Sequence, residues 1–134
     1  MADQAAVVEV WLACGLTHPN NDPHKDIARK MHVNPEMFLV CEAEGKIIGT
    51  VMAGYEGHRG WINYLGVIPD YQGQGVGGAL MAQVEDLLAQ RGCPKINLQV
   101  RTSNRRVLQF YEKLGYKLDE TVSLGKRLVL DNQG

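Results

Sequence analysis

The segment Gln72-Gly73-Gln74-Gly75-Val76-Gly77-Gly78 constrains this chain more than any other. Four of the six residues from Gly73 to Gly78 carry no side chain, so the backbone there is nearly bare. An apolar, strand-like run from Trp61 to Val67 precedes it, and a helical pattern (Ala79, Leu80, Val84, Leu87, Leu88) follows directly. A glycine turn that opens a helix presents several unpaired N–H groups in one direction. The positive end of the helix dipole adds to them. Such a site accommodates phosphate or pyrophosphate, so a phosphorylated ligand is expected.

Which ligand depends on the residues around the glycines. A mononucleotide P-loop needs Lys-Ser or Lys-Thr after its last glycine, and neither is present. Gly73, Gly75 and Gly78 satisfy G-x-G-x-x-G, the dinucleotide pattern. In that fold the first glycine follows its strand almost directly, whereas Ile68 to Gln72 intervene here. Arg101 stands where the ribose-binding acid should end the next strand, and a hairpin precedes the motif. The dinucleotide reading is therefore disfavoured.

The remaining pattern predicts the elements. A helix from Asp3 to about Cys14 would bury Val7, Val8, Trp11 and Leu12, and a second would run from Asp22 to Met31 with Asp22 as its cap and Pro23 at its first position. Met37–Ala43, Lys46–Gly54 and Trp61–Val67 read as a three-strand meander. The glycine turn and a helix to Gln90 follow, then a strand over Lys95–Val100 and a helix over Asn104–Leu114. Tyr116–Leu118 and Val122–Leu130 read as a final strand pair, and the tail from Asp131 to Gly134 as frayed. Hairpins leading into a β-α-β crossover give an α+β domain with a mixed sheet, one domain over residues 1–134.

Composition excludes several partners. A net charge of −1 gives no pull toward nucleic acid or anionic lipid, and no apolar run reaches the length of a membrane span. Cys14, Cys41 and Cys93 are odd in number and widely spaced, and the start shows no secretory pattern. Reduced thiols in the cytoplasm are expected, without a metal site.

Two motifs now come together. Tyr64-Leu65-Gly66-Val67-Ile68-Pro69-Asp70-Tyr71-Gln72-Gly73-Gln74-Gly75-Val76-Gly77 resembles the acetyl-CoA signature of the GNAT N-acetyltransferase superfamily, R/Q-x-x-G-x-G/A after a strand ending L-x-V-x-P. Asn104 to Tyr116, with Phe110-Tyr111-Glu112-Lys113-Leu114-Gly115-Tyr116, resembles the second motif of that family. The likeness is close over residues 61–116, and the pattern is similar to small bacterial members of unassigned substrate.

The resemblance implies a GNAT fold and direct transfer of acetyl from acetyl-CoA, as cosubstrate, to a primary amine of a small molecule or protein. It implies that the CoA pyrophosphate meets Gln72, Gly73, Gln74, Gly75, Val76, Gly77 and Gly78. The pantetheine arm would pair with Leu65, Gly66 and Val67, where Gly66 suggests a bulge or close backbone approach. Asn104 would contact the cofactor, although a helix cap is an equally natural role. Tyr111 would bind the cofactor and protonate the leaving thiolate; its other role is a core aromatic on the helix stripe. Several members carry a Glu or His base at positions held here by Trp61, Ile62 and Asn63, so Glu56 and His58 are the nearest titratable candidates. The walls of the acceptor site are expected at Leu16–Asp22, Glu56–Arg59 and Asp119–Leu124. The missing base leaves open a non-catalytic acyl-CoA-binding or sensor domain. The family usually begins with an edge strand, and only Met1-Ala2 precedes Asp3, so a sheet without that strand, a later start-site choice or an edge supplied by a partner in a homodimer is expected.

Overall fold

The structure, a computed structural model, describes residues 3–131. Helix α1 spans Gln4–Ala13 and buries Val7, Val8, Val10 and Trp11. Leu12 is 60% exposed, contrary to the predicted stripe. At 3.6 residues per turn it sits roughly 120° from the centre of the buried set. Asp3 gives α1 its carbonyl, which accepts from Val7 N, but its side chain makes no cap bond. Helix α2 spans Pro23–Lys30. Asp22 caps it as expected, its Oδ1 accepting from the N–H groups of His24 at 2.9 Å and Lys25 at 3.4 Å.

Strands β1 (Phe38–Ala43), β2 (Lys46–Tyr55) and β3 (Gly60–Val67) form the antiparallel meander. Glu44 and Gly45 both adopt positive φ, 54° and 75°, the backbone that a two-residue hairpin turn requires. Met37 belongs to a short 3₁₀ turn before β1. Helix α3 spans Val76–Gln90 and carries the crossover to β4 (Ile96–Leu98), which lies parallel to β3. Helix α4 spans Arg105–Lys113. The sheet order is β1-β2-β3-β4. One face packs under α1 and α2 through Val7, Trp11, Ile27, Ile48 and Met52. The other packs against α3 and α4 through Val51, Ile62, Met81, Val84, Leu88 and Tyr111. Apolar residues in nearly every position of β2 are explained by this double cover.

The expected final strand pair does not form among the described residues. Leu118, Val122, Leu124 and Leu128 are all at least 80% exposed. Strand β4 is only three residues long, so its outer edge offers little backbone to pair with. The following segment instead meets it through side chains. Asp119 accepts from Lys95 Nζ at 2.9 Å and Asn97 Nδ2 at 2.7 Å, and Gln99 donates to Ser123.

Asp131 is not frayed either; it is buried, and Asn132–Gly134 lie outside the described residues. Its carboxylate accepts from Arg29 Nη2 at 2.5 Å and from Asp22 N at 2.9 Å. The Arg29 guanidinium and then the Asp22 amide hold its pKa down to about 2. A depressed carboxyl stabilises the fold above its unfolded value of about 3.9 and loses that contribution as pH falls through the folded one. Thermal unfolding of Asp131→Asn should therefore start below the parent at pH 6, and the two melting temperatures should converge between about pH 4 and pH 2. Equal midpoints at pH 6 would remove this docking from the account.

Candidate active site

The glycine turn owes its shape to two residues. Gly73 and Gly75 have φ of +80° and +84°, a region that L side chains adopt at a cost. Gln72 Nε2 donates to Val67 O at 2.8 Å, and Gln74 Nε2 to Asp70 O at 3.3 Å, folding the turn back onto the end of β3. Helix α3 begins at Val76 with Gly75 as its N-cap and no side chain capping it. Gly77 has a different task. A Cβ there would lie 3.2 Å from Phe110 Cζ, so this glycine lets α3 touch α4. Gly78 faces open space within 4 Å.

Strand β3 bulges, two residues earlier than Gly66 suggested. Asn63 pairs with Met52 and Gly66 with Thr50, so Tyr64 and Leu65 together oppose Val51. Tyr64 has φ +52°, a left-handed backbone on a bulky residue. Its surroundings fix it from three sides. Its ring stacks on Trp11 at 3.7 Å and 7°. Its carbonyl accepts from Thr50 Oγ1 at 2.9 Å, and that hydroxyl in turn accepts from Trp11 Nε1 at 2.9 Å. Its own hydroxyl donates to Asp26 Oδ2, and burial with that bond raises its pKa. Gly66 is needed for close approach: a Cβ would stand 2.8 Å from Leu16 Cδ1 and 3.1 Å from Cys14 Sγ.

The parallel ladder of β3 and β4 covers Gly60–Ile62 and Ile96–Leu98 only. Beyond it the two chains part. An open cleft of about 2040 Å³ follows this parting, with Asn63, Tyr64, Val100, Tyr111 and Tyr116 in its wall. Tyr111 is buried, and its ring packs edge-on against Phe110 at 5.2 Å and Tyr116 at 5.6 Å. Burial pushes its pKa up to about 12. Among the described residues its hydroxyl has no hydrogen-bond partner, yet no sealed side-chain polar atom lacks one, so it opens to the cleft. Tyr116 is held in turn by Glu85 Oε2, which accepts from its hydroxyl at 2.7 Å.

The other expected contacts are distributed unevenly. Leu65–Val67, Gln72–Gly78 and Asn104 lie outside the cleft wall. Asn104 caps α4, its Oδ1 accepting from Val107 N at 3.3 Å. Leu16, His18, Asn21, Asp119, Val122 and Ser123, from two of the three segments expected as acceptor walls, line the cleft. The Glu56–Arg59 turn does not. It closes on itself: Glu56 Oε1 accepts from Arg59 N at 3.1 Å and Gly57 O from Tyr55 Oη at 3.2 Å. Glu56 and His58 thus lie outside the cleft wall. No group of three or more acids, histidines or cysteines able to hold a metal ion occurs among the described residues.

A family model described as the acetyltransferase (GNAT) family matches residues 5–116. The chain belongs to the GNAT acetyltransferase family. An acetyltransferase of Yersinia pestis strain Pestoides F is 50% identical over 131 residues, 98% of this chain and 93% of its own. One from Pectobacterium atrosepticum is 49% identical over 131 residues, with the same shares. Among solved structures, the PaiA N-acetyltransferase of Thermoplasma acidophilum in complex with coenzyme A superposes with a TM-score of 0.79 at 19% identity, over 90% of this chain and 87% of its own. The ribosomal-protein-S18-alanine N-acetyltransferase of Escherichia coli gives 0.71 at 25% identity, over 86% and 72%.

This GNAT protein is thus an acetyltransferase with the mixed sheet of its family. Sequence reasoning missed the Trp11–Thr50–Tyr64 support of the bulge and the buried Lys30. For Lys30 a signal existed: it follows Ile27 by three residues and so shares the buried stripe of α2.

Proposed function

We propose that this protein is an acetyl-CoA-dependent N-acetyltransferase that transfers acetyl directly to a primary amine while both substrates are bound. The observation that carries the reading is the short β3–β4 ladder with Tyr111 in the wall of the cleft that follows it, the glycine-opened start of α3 lying outside that wall. Strand β3 past Ile62 has main-chain groups that β4 leaves unpaired, suited to the amide groups of pantetheine. The uncapped start of α3 supplies N–H groups and dipole for the pyrophosphate.

In this reading the neutral amine nitrogen attacks the thioester carbonyl carbon, a C–N bond forms and the C–S bond breaks. The departing sulfur takes a proton from the Tyr111 hydroxyl, and the amine proton passes through water and restores that hydroxyl. Asn63, exposed in the cleft wall, is suited to hold that water by hydrogen bonding. Three free thiols agree with a reducing compartment, and no helix of the described residues is long and apolar enough to cross a membrane.

Calorimetry with acetyl-CoA and with ATP, followed by a thiol-release assay over an amine panel, tests the proposal. Tighter binding of acetyl-CoA and thiol release that depends on the amine are expected. Tighter ATP binding, or acetyl-CoA binding without any amine-dependent release, would overturn it.

A further inference from the structure

Lys30 is the unexpected group in the cleft wall. It closes α2, is 8% exposed, and its Nζ donates to the carbonyl of Ala53. An ammonium has three donors, so this bond leaves two unused. No carboxylate lies within ion-pair distance of it among the described residues. Glu36, whose charge acts on it from farther off, is committed to Arg91 at 2.6 Å. Burial holds the Lys30 pKa below the usual lysine range. Gly54 lies against the ammonium: a Cβ there would stand 3.5 Å from Nζ, an ordinary contact. Gly54 pairs with Trp61 and Met52 with Asn63, so the stretch of β2 that holds the ammonium lies beside the part of β3 that leads to the bulge. Lys30, Met52, Trp61 and Asn63 all line the cleft.

The charges of that wall are unbalanced. It holds six Lys or Arg side chains against four carboxylates, in a chain whose net charge is −1. Asp26 is taken by Arg29 at 3.0 Å and by Tyr64, and Asp119 by Lys95 at 2.9 Å. Glu85 accepts from Tyr116, and Glu112 lies on the exposed side of α4. Arg127, also in the wall, donates among the described residues only to Asn21 Oδ1 at 2.5 Å and Val129 O at 3.3 Å. Four of the six, Lys30, Arg101, Lys117 and Arg127, thus have no carboxylate within ion-pair distance among the described residues, and only Lys30 of these is buried. A buried charge without a counter-charge is unfavourable, and an anionic ligand relieves it.

We propose that the acceptor is an amine that also carries a carboxylate, anchored by the Lys30 ammonium on the cleft floor and by Arg127 at its rim. This rests on the N-acetyltransferase reading. The chemistry is shared by a small amino acid and by an acidic peptide with a free N-terminus, and the experiment separates them.

Thiol release is measured with matched acceptors: β-alanine against β-alaninamide, and an acidic peptide against its amidated counterpart. The parent should favour the carboxylate-bearing member of at least one pair, and that pair names the source. Lys30→Met should raise KM for that acceptor by about tenfold to a hundredfold, the range for a lost charge-assisted hydrogen bond. It should leave KM for the amidated member and the affinity for acetyl-CoA unchanged, and Lys30→Arg should restore part of the preference. Arg127→Gln, at an exposed position, carries the same test if Lys30→Met does not fold. Equal turnover within both pairs would overturn the proposal. So would an equal loss on both members in Lys30→Met, which would leave Lys30 only tying α2 to β2. If no amine is turned over, the enzymatic reading falls by itself. Titration of N-acetyl-β-alanine and its amide into the CoA-bound protein then still reads the anion site, where equal affinities would overturn it.

Discussion

Tyr111→Phe is expected to lower kcat by about a hundredfold, with little change in the affinity for acetyl-CoA. General acid catalysis contributes roughly 10² to 10⁴. The lower end applies here because burial makes Tyr111 a weak acid, its pKa pushed up to about 12, against a free thiol near 8.5. The same burial disfavours a charged thiolate, so a donor at that point still helps the C–S bond to break. The substitution is a clean probe of the hydroxyl. That hydroxyl makes no hydrogen bond among the described residues, and phenylalanine keeps the ring packed edge-on against Phe110 and Tyr116. Its melting temperature should therefore match the parent. Stopped-flow thiol release with a saturating amine measures the step. Turnover equal to the parent would remove Tyr111 from the chemistry and leave it as a core aromatic.

Trp11→Ala should cause the largest loss of stability, about 3–5 kcal/mol, the range for deleting a fully buried large aromatic. Trp11 has no exposed surface, stacks on Tyr64 and Phe38, and donates to Thr50. Against a total of roughly 5–15 kcal/mol, such a loss endangers the fold. For a chain of this size it corresponds to a fall in melting temperature of roughly 10–20 °C. Trp11→Phe keeps an aromatic stack and loses the indole donor, while Thr50 can still donate to the Tyr64 carbonyl. Its loss should be clearly smaller. Chemical denaturation followed by circular dichroism compares the two. A Trp11→Ala midpoint within 1 kcal/mol of the parent, by the scale of typical surface substitutions, would show that the bulge stands without this support.

The elements from Gln4 to Lys113 were largely legible because their signals are local. Asp22-Pro23 starts α2, Glu44-Gly45 turns β1 into β2, and the glycines open α3. The strand pair after Tyr116 was misread because Val122, Leu124, Leu128 and Leu130 alternate well, yet alternation does not reveal whether a partner edge exists. Gly66 signals a bulge or a close backbone approach, and it is the close approach that the structure shows there. At the bulge a tyrosine takes the left-handed backbone, and groups from α1, α2 and β2 hold it there. Such support comes from residues far apart in the chain and leaves no local pattern. The position of Tyr111 followed from its motif, whereas its open hydroxyl needed the cleft to be seen. Glu56 and His58 looked like bases for nearness in sequence alone, and their turn points its polar groups at itself.

The contact between Gly77 and Phe110 has a consequence for building chimeras of this family. One glycine in the first motif fits against the residue beside Tyr111 in the second. The two motifs are thus cut to a common fit, although α3 and β4 separate them along the chain. A donor loop grafted from a relative with alanine at this position would push on Phe110 and shift the tyrosine next to it. Loop and fourth helix should be transplanted as a pair.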